Sequence, residues 1–146
     1  FSLPEPTGVV ALVAPPESSL LGLVSVVAPV ITTGSTAVVL AAEERPLPAI
    51  TLGEVLATSD VPPGVVNLLT GRTAEVAPWL ASHMDVNALD LTGVRDPELA
   101  TSLEADAAEN LKRVRRPEAP DWRADPGTGR MTGVLETKTV WHPMGI

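Results

Sequence analysis

The sequence contains no cysteine, which excludes disulfides, thiolate metal sites and a thiol nucleophile together. Histidine is scarce, since His83 and His142 are the two imidazoles, and neither stands in a ligand spacing for zinc. No metal site is therefore expected. Lys and Arg number 10 against 18 Asp and Glu, a formal net charge of −8. Because nucleic acids and anionic membranes repel an acidic surface, neither is an expected partner.

No basic stretch precedes an apolar one near Phe1. We therefore expect no signal peptide and take a cytoplasmic location as the default. Residues 18–42 carry no charge, and a run of that length could cross a membrane. A polar, glycine-containing turn at residues 32–36, directly after Pro29, divides it into two segments that each suit a buried helix or strand. The sequence thus predicts no membrane span.

Hydrophobic residues make up 45% of the 146 residues, enough for the core of one domain. Short β-branched runs alternate with helical patterns. The predicted strands are 8–14, 36–40, 65–69 and 88–91, and the predicted helices are 20–32, 47–57, 75–82 and one that Asp96 caps. Alternating strands and helices with right-handed crossovers predict an α/β fold with a doubly wound, mostly parallel, Rossmann-like sheet.

Some side chains have a predicted environment. In helix 47–57 the spacing turns Ile50, Val55 and Leu56 inward and Glu54 outward. At the end of helix 75–82, His83 is expected to cap backbone carbonyls.

The three tryptophans differ in what can be predicted for them. Trp79 and Trp122 are expected to be packing anchors rather than ligand platforms. For Trp141, a core position and an interface position are equally compatible with the sequence.

The character of the chain changes after Arg116. Prolines and a Pro-Gly pair punctuate residues 117–135, which we interpret as a loop-rich linker, and the alternating run at 137–141 predicts an exposed edge strand. The expected division is a domain at 1–116, a linker at 117–135 and a strand with its tail at 136–146. A basic run precedes the linker, either as a solvated face or as a docking site for an acidic patch: Lys112, Arg113, Arg115 and Arg116.

Many short motifs resemble, in order and spacing, the cofactor domain of the aldehyde dehydrogenase family between about residues 5 and 114. The strand at 136–141, Glu-Thr-Lys-Thr-Val-Trp, resembles the terminal strand with which subunits of that family extend a neighbour's sheet. Where the family carries a whole catalytic domain, a short linker stands here. The matching segments are residues 5–10, 28–29, 33–36, 43, 46–47, 62–67, 82–85 and 91–93.

The resemblance implies a chemistry whose residues are missing. Family members attack the aldehyde with a cysteine thiolate, use a glutamate as general base and hold the oxyanion with an asparagine. No cysteine is present, Glu17 follows Pro15-Pro16 where the asparagine is expected, and the general-base position falls near Pro117. We therefore predict no catalytic residue, and the chain resembles a pseudoenzyme.

The resemblance also implies a cofactor site for NAD or NADP, with weak or lost binding. Glu43 stands where the family's Lys-Pro-x-Glu motif binds the adenosine ribose, but Leu40 replaces the lysine. Glu43 has a structural interpretation too, as the N-terminal acid of a helix. The full set of candidate cofactor-binding residues is Glu43, Gly71, Thr92 and Gly93.

Several replacements surround these candidates. Thr73 and Ala77 stand where the glycine-rich turn of the family has smaller residues. Val94 replaces a serine that reaches the pyrophosphate. Arg72 and Arg95 are candidates for compensating phosphate contacts.

Four hypotheses for function follow. The first is an accessory or oligomerisation module that binds a full-length aldehyde dehydrogenase, or itself, through strand 136–142. The second is a weak dinucleotide-binding module without chemistry, and the third is a fragment of, or complement to, an active enzyme. The fourth is a decayed gene product without a selected role. The aldehyde substrate is not encoded in these residues.

Overall fold

The computed structural model describes residues 1–142. Within this range, seven strands and five helices follow one another. They are β1 (Ser2–Pro6), β2 (Val9–Val13), α1 (Leu21–Thr32), β3 (Thr36–Leu40), α2 (Leu47–Ala57), β4 (Val66–Leu69), α3 (Thr73–Ser82), β5 (Ala88–Asp90), α4 (Pro97–Ala108), β6 (Arg113–Arg115), α5 (Gly129–Thr132) and β7 (Leu135–Thr139).

The body is a five-stranded parallel sheet in the order β4-β3-β2-β5-β6. From β2 the chain runs outward through β3 to β4, then returns to the other side of β2 for β5 and β6. This reversal makes β2 and β5 the switch point of a doubly wound fold, where a crevice opens beyond the carboxyl ends of the strands. The predicted Rossmann-like α/β fold is confirmed.

The two faces of the sheet build separate apolar clusters, because side chains of a strand alternate between faces. Val10 and Leu12 of β2 pack with α1 and α2, whereas Ala11 and Val13 pack with α3 and α4. Parallel strands covered on both faces read as continuous apolar runs, which is why β2 and β3 could be predicted. Leu103 at 0% exposure shows how completely α4 covers its face.

Helix α1 and strand β3 account for the uncharged run at 18–42. Among residues 1–142, no helix is long and apolar enough to cross a membrane. Asp96 caps α4 as predicted, since its carboxylate accepts hydrogen bonds from the amides of Glu98 (2.9 Å) and Leu99 (3.4 Å).

Three predicted environments are wrong. Ile50 and Val55 are 46% and 57% exposed, because Ala49 and the half-buried Leu52 are the side chains of α2 that pack against the core. Trp79 is 76% exposed and anchors no packing. His83 lies at the end of α3, but its Nδ1 accepts a hydrogen bond from the Asp85 amide (3.2 Å) instead of capping a carbonyl.

Two strands were not predicted. Strand β6 lies within a basic run that includes Arg113 and Arg115, and β1 contains Pro4 and Pro6, so neither segment has the apolar pattern of a strand. Strand β1 pairs antiparallel with β7 as a separate two-stranded sheet, which we call the terminal ribbon. Strand β7 spans Leu135–Thr139, so it begins one residue before the predicted start at 136.

Candidate functional site

A cleft of about 320 Å³ lies at the carboxyl ends of the parallel strands. Strands β2, β3 and β5 bring Ala14, Glu43 and Gly93 to it, and the first turns of α3 and α4 close its sides. This is where a doubly wound fold binds a dinucleotide. Of the four candidate cofactor residues, Glu43 and Gly93 line the cleft, whereas Gly71 and Thr92 do not.

Gly93 is required by close packing. Its amide donates to the Val13 carbonyl (3.0 Å), and a Cβ at this position would lie 2.2 Å from the Ala14 carbonyl oxygen. The loop after β5 therefore touches the end of β2 directly, with no room for a side chain. Gly71 is also crowded, because a Cβ there would lie 2.9 Å from Cγ2 of Val76.

Glu43 caps a helix, although not the helix that follows it in sequence. Its Oε2 accepts a hydrogen bond from the amide of Thr73 (2.9 Å), the first residue of α3. A free amide at a helix N-terminus is what binds a phosphate, and here the chain's own carboxylate occupies it. Arg72, proposed above as a phosphate contact, pairs instead with Glu75 (3.2 Å) on the surface.

Arg95 is likewise engaged within the chain. Its guanidinium donates two hydrogen bonds to the carboxylate of Glu17 and one to the Thr92 carbonyl (2.7 Å). The hydrogen bonds from Arg95 lower the pKa of the Glu17 carboxyl from its ordinary value, against a smaller opposing effect of burial. Both side chains remain open to solvent, 37% exposed for Arg95 and 52% for Glu17.

Several backbone donors beside the cleft already have partners within the chain. Glu43 accepts from the Thr73 amide of α3, and Asp96 accepts from the Glu98 and Leu99 amides of α4. Val94, in the place of the family's serine, is 2% exposed and belongs to the apolar core rather than to a polar wall.

Sequence analysis missed a second polar site, on the α1 face of β5 and β6. Asp90 is 7% exposed, and its Oδ2 accepts from Nη1 of Arg130 (2.8 Å). The same guanidinium donates to the Thr92 hydroxyl (3.2 and 3.3 Å) and to Glu118. Arg115 joins Glu118 at 3.3 Å and lies 3.9 Å from Asp90. We call these five residues the buried charge network.

Within this network, burial has its main electrostatic effect on Asp90. It raises the pKa of the Asp90 carboxyl above its ordinary value, against the lowering effects of the Thr92 hydrogen bond and of the charges on Arg130 and Arg115. Trp122 packs on the α1 side of the core and lies 5.3 Å from the Arg130 guanidinium carbon, so its prediction as a packing residue is supported by its contacts. An aspartate at the end of an otherwise apolar strand was the signal available in the sequence.

The basic run before the linker is now explained. Arg113 pairs with Glu136 of β7 (3.7 Å), Arg115 with Glu118 and Arg116 with Glu104 of α4 (3.1 Å). The run therefore fastens neighbouring segments of the same chain. Within the described part of the chain, no group of His, Cys, Asp or Glu side chains could hold a metal ion.

Comparison with known proteins gives a consistent result. Residues 1–116 match the model of the aldehyde dehydrogenase family. Retinaldehyde dehydrogenase 3 of Homo sapiens is 37% identical over 114 residues, which cover 78% of this chain and 22% of that protein. Aldehyde dehydrogenase family 2 member B4 of Arabidopsis thaliana is 39% identical over 114 residues, 77% of this chain and 21% of that protein.

Solved structures agree. Betaine aldehyde dehydrogenase from Staphylococcus aureus, in complex with NAD+, has a TM-score of 0.72 at 28% identity, covering 77% of this chain and 22% of that one. Aldehyde dehydrogenase from Bartonella henselae has a TM-score of 0.70 at 30% identity, covering 77% and 23%. The matched region is thus under a quarter of the length of these relatives. This chain belongs to the aldehyde dehydrogenase family.

Proposed function

We propose that this chain is a non-catalytic member of its family that serves as an accessory or oligomerisation module, binding a full-length aldehyde dehydrogenase through the outer edge of β7. The observation that carries the proposal is the terminal ribbon. Within the described residues it holds two strands, and its side chains from Glu136 to Thr139 are exposed. A two-stranded ribbon is marginal in water and gains stability when a further strand joins it.

The register shows which edge is open. Phe1 and Val140 exchange two backbone hydrogen bonds (2.8 and 3.0 Å), and the Thr7 amide donates to Val134 (3.0 Å). In an antiparallel pair, alternate residues form the backbone hydrogen bonds between the strands, and in β1 these are the odd-numbered residues. Pro4 and Pro6 therefore occupy positions at which a backbone amide would point away from β7. Because proline has no amide hydrogen, the outer edge of β1 lacks these donors and is a poor site for pairing with a further strand.

The outer edge of β7 carries no such block. The same alternation turns the amides of Thr137 and Thr139 away from β1, and within residues 1–142 no strand pairs with them. These are the donors that a strand from another subunit would use. Trp141 follows directly and is 88% exposed. A large exposed aromatic beside an open strand edge favours the interface interpretation of Trp141 over the core one.

The chemistry of this proposal excludes aldehyde oxidation by these residues. No thiol is available for the covalent step, and Glu17 places a carboxylate beside Arg95 at the position where the family's oxyanion donor is expected. We also propose that NAD or NADP binding is weak or lost, because Glu43 occupies the Thr73 amide at the start of α3 and Asp96 occupies two amides at the start of α4. A cysteine-bearing partner would supply the reaction.

The test mixes the purified chain with a purified, cysteine-bearing aldehyde dehydrogenase from the same source and measures mass by light scattering after size exclusion. A stoichiometric complex is expected. Thr137→Pro, which deletes an outward amide, should weaken it at least about tenfold, whereas Thr137→Val, which keeps the amide, should not. Trp141→Ala should weaken it as well, with Trp79→Ala as the matched control on another exposed tryptophan.

A chain that stays alone at every concentration tested, or a complex that Thr137→Pro leaves unchanged, contradicts the proposal. Calorimetry with NAD and NADP tests the cofactor statement separately. Micromolar binding of either dinucleotide to the isolated chain would show that the cleft accepts a pyrophosphate despite its carboxylates.

A further inference from the structure

The region after β6 covers a part of the sheet that the fold itself leaves without a helix. Helices α1 and α2 pack against β2, β3 and β4 on one face, and α3 and α4 pack on the other. Over β5 and β6, the α1 face therefore has no helix of the doubly wound unit. Residues 117–133, which we call the strap, lie there, and α5 within the strap contacts α1.

This half of the sheet is polar. Because parallel neighbours in register share a face, Asp90 of β5 and Arg115 of β6 point the same way as Ala88, toward the strap. The strap contributes Arg130 and Glu118, which complete the buried charge network. Opposite charges across the contact thus replace the apolar packing that holds the helices elsewhere.

The strap is otherwise weakly packed. It contains three prolines and one helix of four residues, and none of its residues is fully buried. A void of about 60 Å³ lies beneath it, lined by Val10, Val30, Arg130 and Gly133 among others. A larger cleft of about 310 Å³ lies beside it, between Trp122, Asp125 and Ser25.

Two arginines hold this segment in place. Arg115 of β6 donates hydrogen bonds to Glu118 (3.3 Å) and to the Gly129 carbonyl (3.1 Å), and Arg130 reaches back from the strap to the sheet. The side chain of Arg130 is 12% exposed and that of Asp90 10%. Arg130 donates hydrogen bonds to Asp90, Thr92 and Glu118, and its guanidinium lies near the Trp122 ring. The ends of the strap are fixed independently, by β6 on one side and by the Thr7–Val134 hydrogen bond on the other. A segment pinned at both ends can open in the middle without unfolding the body.

We propose that residues 117–133 open and close as a unit over the α1 face of β5 and β6, and that Arg130 is the latch that keeps them closed. In the open state Trp122 leaves the core and the α1 face of β5 becomes accessible to solvent. The opening is local, since both apolar clusters of the body retain their helices.

Trp122 provides the readout. Trp79 and Trp141 are 76% and 88% exposed, so replacing both with Phe leaves Trp122 as the single fluorophore without disturbing the core. In this background Arg130→Gln is compared with Arg123→Gln, a matched change at an exposed arginine of the same segment. Acrylamide quenching of Trp122, and thermolysin cleavage mapped by mass spectrometry, are measured well below the thermal transition of the body.

Arg130→Gln should expose Trp122 to quencher and raise the cleavage rate within 117–133 at least about tenfold, because removing one partner strands a buried carboxylate. The far-UV circular dichroism of the body should persist, and Arg123→Gln should match the parent. Equal quenching and equal cleavage in the two variants would overturn the proposal.

A second measurement covers the case in which Arg130→Gln does not fold. The parent with Trp122 alone is titrated with urea, following Trp122 emission and far-UV circular dichroism together. The proposal expects Trp122 to become exposed at a lower urea concentration than the one that melts the body. Coincident transitions in the parent would overturn it, since the strap would then have no opening of its own.

Discussion

Two arginines of this protein bridge carboxylates in the same chemical way, in very different surroundings. Arg95 forms an ion pair with Glu17 at the mouth of the cleft, where the two side chains are 37% and 52% exposed. Arg130 forms an ion pair with Asp90 under the strap, where the two side chains are 12% and 10% exposed. Solvent screens the first pair and leaves the second unscreened. The comparison teaches that the position of an ion pair, rather than its presence, decides what it contributes.

The buried pair gives the largest expected effect. Arg130→Leu should lower the free energy of unfolding by about 3 kcal/mol, because it leaves a buried carboxylate without its partner. The double change Asp90→Leu with Arg130→Leu should recover most of that loss, since an apolar pair needs no compensation. Urea denaturation of the parent and the three variants, including Asp90→Leu alone, measures the coupling between the two sites.

Additive losses in that cycle would show that the two side chains do not interact across the strap. A double variant as unstable as Arg130→Leu alone would point the same way. Either result would remove the contrast between the buried and the exposed pair.

The wall of the cleft gives the next effect. Gly93→Ala should lower the free energy of unfolding by about 1–3 kcal/mol, because the new Cβ would overlap the Ala14 carbonyl. Gly64→Ala is not a fair control, because its backbone φ is +83°. Gly129→Ala is the better one, since nothing lies within 4 Å of its Cβ position. Thermal unfolding compares the two, and equal transitions would contradict the close approach.

The exposed pair gives a smaller effect. Glu17→Gln should lower the free energy of unfolding by less than about 1 kcal/mol at neutral pH, as for other surface ion pairs. Because Arg95 lowers the pKa of Glu17, the contribution of Glu17 is present above its unfolded pKa and is lost as the pH falls through the folded value. Denaturation at neutral and at acidic pH should therefore show a difference from the parent that vanishes in acid.

Asp90 should have the opposite pH dependence. Burial raises its pKa in the folded state, so the folded protein holds this proton to higher pH than the unfolded chain. Its ionisation therefore costs stability as the pH rises through the window above the ordinary carboxyl value. Relative to Asp90→Asn, the parent should lose stability from acidic to neutral pH. A parallel pH profile in the two proteins would contradict the dominance of burial.

Much of the fold could be predicted because the code for it is local. Strands β2 and β3 are β-branched runs buried on both faces, and the Asp96-Pro97 pair predicts the start of α4. Strand β6 could not be predicted, because Arg113 and Arg115 face the strap and Glu136 rather than an apolar layer.

The site was harder to predict than the fold. Glu43 was expected to serve the start of a helix, yet the helix it caps begins 30 residues later at Thr73. Arg130 reaches Asp90 across 40 residues of sequence. Contacts of this kind depend on how the chain returns to the sheet, and no local pattern encodes them. The division at residues 116 and 135, and the cofactor roles of Glu43, Gly71, Thr92 and Gly93, stay predictions.

The proposed accessory function depends on the open outer edge of β7, and amide hydrogen exchange tests that edge most directly. In the isolated chain, Lys138 should exchange slowly within the ribbon, and Thr137 and Thr139 should exchange quickly from the open edge. Adding a full-length, cysteine-bearing family member should protect Thr137 and Thr139 while Lys138 changes little. Outward amides that exchange at the same rate with and without that partner would contradict the accessory role.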